Sequence, residues 1–346
     1  MAYQNIQSVR LRPRKSEIVL RCAHAVACIL HAASSIALWT TSSAQPITTL
    51  GVRVRWRSVD GITKCSDEQC FSDPYIAKFS TLSLLEICAA FGSITALSHA
   101  IQTIWILYTT RLSRGVFNPI RWAEYSVTAS LMFVCIQLIC GIYDESAIWT
   151  GAVTMWAIMA SGGVTEYMYA IVPSKTNAIL KTDIFRAPGA FAIFMIQVAL
   201  YLFLWVTLFD TLADANRDKG STNEMPEIVY IIVGIMFLVF SSFVAIFYWA
   251  SIRGMKIWNK TLNVVNCEVL YITASLTAKL LLHWFLWSSV ISQDEMLIRD
   301  DASSHQGPKD SDSIRNQTLI IGGIVLVIGA LFATTTMCVL KKCKDD

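Results

Sequence analysis

The chain has 346 residues, 54% of them hydrophobic and only 15% charged, with a formal net charge of +3. This is the composition of a membrane protein. It excludes a hidden water-soluble catalytic domain, because no polar stretch is long enough to enclose a core. The ten cysteines are scattered, mostly within apolar segments, and read as small hydrophobes rather than a metal site.

A bilayer core about 30 Å thick takes roughly 20 apolar residues per helix. Eight segments qualify: 18–40, 79–109, 118–142, 147–172, 187–210, 227–252, 263–289 and 318–340. The first follows a basic lead-in (Arg10, Arg12, Arg14, Lys15, Arg21), and its apolar run is longer than a signal peptide requires, so it reads as a span. After it, VRVRWRSV (52–59) alternates apolar and basic residues, which is a strand pattern, and Asp60-Gly61 is a hairpin turn signal. Cys65 and Cys70 follow, as a candidate disulfide or as two free thiols. The expected fold class is an all-α membrane protein, a seven-helix bundle with an eighth C-terminal helix and a small extracellular β-hairpin.

The connecting loops alternate in charge. The N-terminal segment, Arg111, Arg114 and Arg121, then Lys175, Lys181 and Arg186, then Arg253, Lys256 and Lys260, and finally Lys341, Lys342 and Lys344 all fall on one side if every segment spans. The other side receives GIYDES, the acidic loop Asp210–Glu227 and SQDEMLIRDDASSHQGPKDSDS. Positive residues stay inside, so both termini are expected in the cytoplasm. Arg53, Arg55, Arg57 and Lys64 are exceptions, in a long loop where the rule is weaker. The expected organisation is a basic cytoplasmic segment at 1–17 and a seven-helix domain at 18–292 with its hairpin loop at 41–78. An acidic linker at 293–317 follows, then the extra helix with a basic tail at 318–346.

One charge stands out. In YITASLTAKLLLHWFLW (271–287), Lys279 has apolar turns on both sides. A lysine near the middle of a bilayer helix costs about 2.5–3.5 kcal/mol on insertion scales, so it needs a partner or a modification. Glu124 in the third span is the natural counter-charge, with Thr128 one turn on and Ser275 one turn before the lysine. Lysine side chains lean towards the helix N-terminus, which places the ammonium near Ser275. The pair is level only if the seventh helix begins well before the membrane, around Glu268. Two readings stand at this point: a structural ion pair between helices, or a desolvated lysine able to form a Schiff base. Glu86 and Glu166 lie towards opposite ends of their spans, either as solvated interfacial groups or as points on a proton path.

NPIRWAEYSVTASLM, ITALSHA, LHAASSIAL and SLTAKLLL, with the inverted topology and the strand-patterned first outer loop, resemble the heliorhodopsin family over residues 18 to about 290. The resemblance, which extends to viral members, implies a retinal-binding rhodopsin rather than an enzyme. It implies all-trans retinal bound to Lys279 as a protonated Schiff base, with Glu124 as counterion and Ser275 and Thr128 in the hydrogen-bond network. His31 and His99 would line a polar cavity on the cytoplasmic side and take the proton after photoisomerisation. It further implies a light sensor that signals through a cytoplasmic partner or a homodimer interface. A light-gated proton channel and a helix bundle without chromophore are the alternatives. The only partners expected otherwise are membrane lipids, with no nucleic acid. The eighth segment departs from the seven-helix pattern. Gly322 and Gly329 give it one small face, and Cys338 and Cys343 sit beside Lys341 and Lys342 in a context suited to palmitoylation.

Overall fold

A computed structural model describes residues 15–44, 48–55, 75–108, 117–142, 144–171, 187–217, 227–248, 256–257, 260–261 and 264–302. The segment 318–340, the Asp60-Gly61 turn, Cys65 and Cys70 lie outside the described residues. Among these described residues seven helices follow in order: α1 Lys15–Ala44, α2 Leu84–Tyr108, α3 Pro119–Ile139, α4 Glu145–Ile171, α5 Pro188–Arg217, α6 Glu227–Phe247 and α7 Val264–Ala302. Each is long and apolar enough to cross a membrane. Between α1 and α2, β1 (Thr48–Arg55) pairs antiparallel with β2 (Tyr75–Ser83), and a short β3–β4 pair (Lys256–Ile257, Lys260–Thr261) lies between α6 and α7.

Two boundaries differ from the sequence expectation. Residues 79–83, FSTLS, belong to β2 rather than to the second helix, and their partners are Thr48–Gly51 and the bulge that follows. Phe79 and Thr81 are residue types that strands favour. The seventh helix runs through the acidic stretch to Ala302, which the sequence reading assigned to a linker.

Local chemistry fixes α3 most clearly. Asn118 caps it, accepting from the Arg121 backbone N–H at 3.2 Å, and Pro119 occupies the first turn, where its missing N–H costs nothing. At the far end Gly141 adopts φ 76°, and the Ile142 N–H closes on the Gln137 carbonyl at 2.9 Å. That left-handed cap is the reason for a glycine there.

The helices alternate in direction, so α1, α3, α5 and α7 begin at one end, called here the proximal end. The bundle is inverted in polarity relative to a water-soluble protein. Ile29, Ile36, Val206 and Leu238 are at least 63% exposed on the outside. His24, His31, Arg121, Glu124, Glu166, Glu268 and Lys279 are buried inside. This is the arrangement of helices in lipid, where ionisable groups face the interior and pair there. Without a hydrophobic drive between helices, close packing and interhelical bonds hold the bundle. Between α3 and α4, a Cβ on Gly162 would lie 2.5 Å from the Trp122 ring, so only glycine admits that ring. Tyr201 of α5 bonds Ser241 of α6 at 2.8 Å, and Trp287 of α7 reaches Thr41 of α1 at 3.1 Å.

Candidate functional site

Lys279 is 3% exposed and forms an ion pair with Glu124 Oε1 in the middle of the bundle. The depth condition is met because α7 starts early, so that Glu268, near its start, lies against Arg121 of α3. The Lys279 ammonium also donates to Thr95 Oγ1 of α2 at 2.6 Å. Thr95 and Thr128 both donate to Glu124 Oε1, at 2.8 and 2.9 Å. The Tyr125 ring lies 5.6 Å below the ammonium, within cation–π range. Glu124 is thus held by two hydroxyls and the lysine, an arrangement that fixes both charges in a medium where an unpaired one is costly.

Ser275 does not take the place the sequence assigned to it. It is buried, but its Oγ makes no hydrogen bond to the amine, and Thr95 does so instead. Sequence reasoning missed Thr95 although it lies inside ITALSHA. Nothing in a helical threonine signals that a neighbouring helix will present it to a lysine.

Beside the pair lies a small cavity of about 20 Å³ lined by Tyr125, Thr128, Ala129, Met132, Met159, Phe240, Phe243, Ser275, Ala278 and Lys279. A second, of about 50 Å³, shares the lining residues Met159 and Phe243 with it and lies between α4, α5 and α6 beside Gly162, Phe194, Tyr201 and Phe247. Together they form an apolar, aromatic-walled slot with one amine at its end.

The histidines gather on α1 and α2 towards the proximal end. His31 stacks on His99 with ring centroids 5.8 Å apart, and His99 Nδ1 lies 2.8 Å from His24 Nδ1. Both ring nitrogens of His31 and Nε2 of His99 are buried without a protein partner. His24, given no role from the sequence, is therefore part of this group.

Below them is a second ionic cluster. Arg121 is 3% exposed, pairs with Glu166 at 2.7 Å and with Glu268, and lies 4.2 Å from the Tyr271 ring centroid. The Trp122 indole N–H also donates to Glu166. Arg121 is thus a buried partner of two carboxylates rather than the loop cation that the charge pattern counted. Glu166, 1% exposed, is not a solvated interfacial group. Glu86, near the distal end, is exposed. The structure does not bring Glu86, Glu124 and Glu166 together.

Seven membrane-length helices around a buried lysine–carboxylate pair at the end of an apolar slot define a rhodopsin of the microbial type. The heliorhodopsin family model matches residues 20–291, and the chain belongs to the heliorhodopsin family. Among curated proteins the comparison gave no match. Membership implies retinal binding. The residues present fit that group, with a buried primary amine among apolar and aromatic side chains.

Proposed function

We propose that the chain is a light sensor in which Lys279 carries all-trans retinal as a protonated Schiff base and Glu124 is the counterion. The observation that carries this reading is the buried Lys279–Glu124 pair, whose lysine lines an apolar cavity. When bound, retinal supplies the absorbing polyene, whose light-driven isomerisation shifts charge at the lysine nitrogen.

The protein's own residues do the rest. Glu124 favours the charged form of that nitrogen, because an opposite charge nearby stabilises it. Thr95 and Thr128 hold the Glu124 carboxylate in place, and Thr95 also accepts from the nitrogen. Ala129 and Ala278 are the small residues beside the amine, while Met159, Phe240 and Phe243 supply the apolar wall. His31 and His99, with free ring nitrogens, are placed to receive a proton on the proximal side. In this reading the proximal end faces the cytoplasm, where a signalling partner or a second copy receives the output.

The test is a visible spectrum of the protein expressed with all-trans retinal. A band should appear in the wild type, vanish in Lys279→Ala and move to longer wavelength in Glu124→Gln. A folded, retinal-fed protein without colour would return Lys279 and Glu124 to a purely structural role.

The buried group of His24, His99 and His31 favours a second reading, a light-gated proton channel with Glu166 and Glu86 towards its two ends. Photocurrent under voltage clamp separates the two. A sustained current supports the channel, and its absence with an intact photocycle supports the sensor.

A further inference from the structure

His283 sits one turn beyond Lys279 on α7 and is 2% exposed. Helical side chains lean towards the N-terminus, so its ring covers the turn that carries Lys279. Three hydrogen-bond contacts meet there. His283 Nε2 lies 3.0 Å from the Cys88 carbonyl of α2, and His283 Nδ1 lies 3.0 Å from Ser34 Oγ of α1. Ser34 Oγ is itself 3.1 Å from the His31 carbonyl.

Proton counting constrains the site. A carbonyl only accepts, so Nε2 must carry a hydrogen to bond Cys88. Serine has one hydroxyl hydrogen. If His283 is neutral, Nδ1 is an acceptor, the serine hydrogen turns towards it, and the contact to the His31 carbonyl goes unused. If Nδ1 gains a proton it donates to Ser34 Oγ, the hydroxyl turns to the His31 carbonyl, and all three contacts are made. Both states are bonded at the ring, and only one hydroxyl rotates between them.

Among the described residues, none in contact with the ring is a carboxylate. Phe91 of α2 stacks on the ring at 4.8 Å, Ser35 Oγ is buried nearby, and a Cβ on Gly92 would lie 2.6 Å from His283 Cε1. Cys88 offers the ring only its backbone carbonyl, its thiol lying 3.6 Å from Cys135 Sγ, so the remaining ionisable group facing His283 is His31, with Lys279 on its own helix. A second positive charge beside a charged Lys279 is disfavoured, and the repulsion disappears once the Lys279 nitrogen has given up its proton.

We propose that His283 is a proton acceptor for the Lys279 nitrogen on the distal side of the site, using Ser34 as its hydroxyl switch. The transfer balances. The nitrogen of Lys279 becomes neutral, Nδ1 of His283 gains the proton, and the total charge is unchanged. The light-driven step rests on the retinal reading, whereas the hydrogen-bond pattern does not.

Two readouts test it. In retinal-free protein with 15N-labelled histidine, the His283 resonance, assigned by its loss in His283→Asn, should be that of the ring protonated at Nε2. Acidification should convert it to the doubly protonated ring, and to a smaller extent in Ser34→Ala. A ring protonated at Nδ1, or one that stays neutral in acid, overturns the proposal even if the protein proves colourless. In the retinal-fed protein, infrared difference spectra should show a 15N-sensitive imidazolium band rising as the Lys279 nitrogen deprotonates. That deprotonation should slow roughly 100-fold in His283→Asn, the low end for a positioned proton acceptor. The same band at full size in His283→Asn, or no such band in the wild type, overturns it.

Discussion

Arg121 shows how a residue's role depends on what the fold brings to it. In the sequence it is one more cation before a span. In the structure it is enclosed between Glu166 and Glu268. Removing one partner of a buried ionic group costs about 3–5 kcal/mol, because the others keep uncompensated charge. Arg121→Gln is therefore expected to lower the melting temperature of the detergent-solubilised protein sharply. Glu166→Gln, which leaves Arg121 paired with Glu268, should cost much less, and equal losses in the two variants would contradict the triad. Thr95→Val tests the primary site in the same way. It takes one donor from Glu124 and one acceptor from Lys279 at a fully buried position, so a loss of about 1–3 kcal/mol is expected. Lys279, Glu124 and Thr128 were legible because charges are rare within apolar runs and i, i+4 spacing puts two groups on one face. Thr95, His283 and the Arg121–Glu268 contact were not. Hydroxyls, histidines and helix-end charges are common in spans, and their partners come from other helices.

At the scale of elements, the α3–α4 contact carries the clearest packing constraint. The Trp122 ring lies over Gly162 and Gly163, while its indole N–H reaches Glu166 one turn further along α4. Gly162→Ala would press a methyl group into that ring and tilt it away from Glu166. Overpacking of this kind costs typically about 1–3 kcal/mol. The expected result is a lower unfolding midpoint together with a changed tryptophan emission spectrum. Unchanged values for both would mean that the helices separate freely. Helix starts and stops were readable where a cap states them, as Asn118-Pro119 and Gly141 do for α3. They were not readable at FSTLS, where hydropathy alone extends the helix and only the pairing with β1 makes a strand. Nor were they at the end of α7, where an acidic sequence remains helical beyond the apolar span. Hydropathy reports the membrane's thickness rather than the helix's length.

For the whole molecule, charge outside the bilayer sets which end faces the cytoplasm, and the last apolar segment sets whether the chain crosses seven or eight times. The interior is the same from either side, since the burial of Lys279, Glu124 and the histidines does not depend on orientation. Only the charges outside the bilayer decide it, and they put the basic segments with the proximal end. His24 and His99 lie on that side of Lys279 and His283 towards the other, so orientation also decides in which direction a proton would travel. Two epitope tags, one before Lys15 and one after Asp346, answer both points. With the proximal end inside and residues 318–340 crossing, neither tag should be stained on intact cells, and both should be stained after permeabilisation. A C-terminal tag stained alone would mean that the last segment crosses nothing or that the chain ends outside after seven spans. An N-terminal tag stained on intact cells would reverse the bundle, turning the group of His24, His31 and His99 outward and His283 towards the cytoplasm.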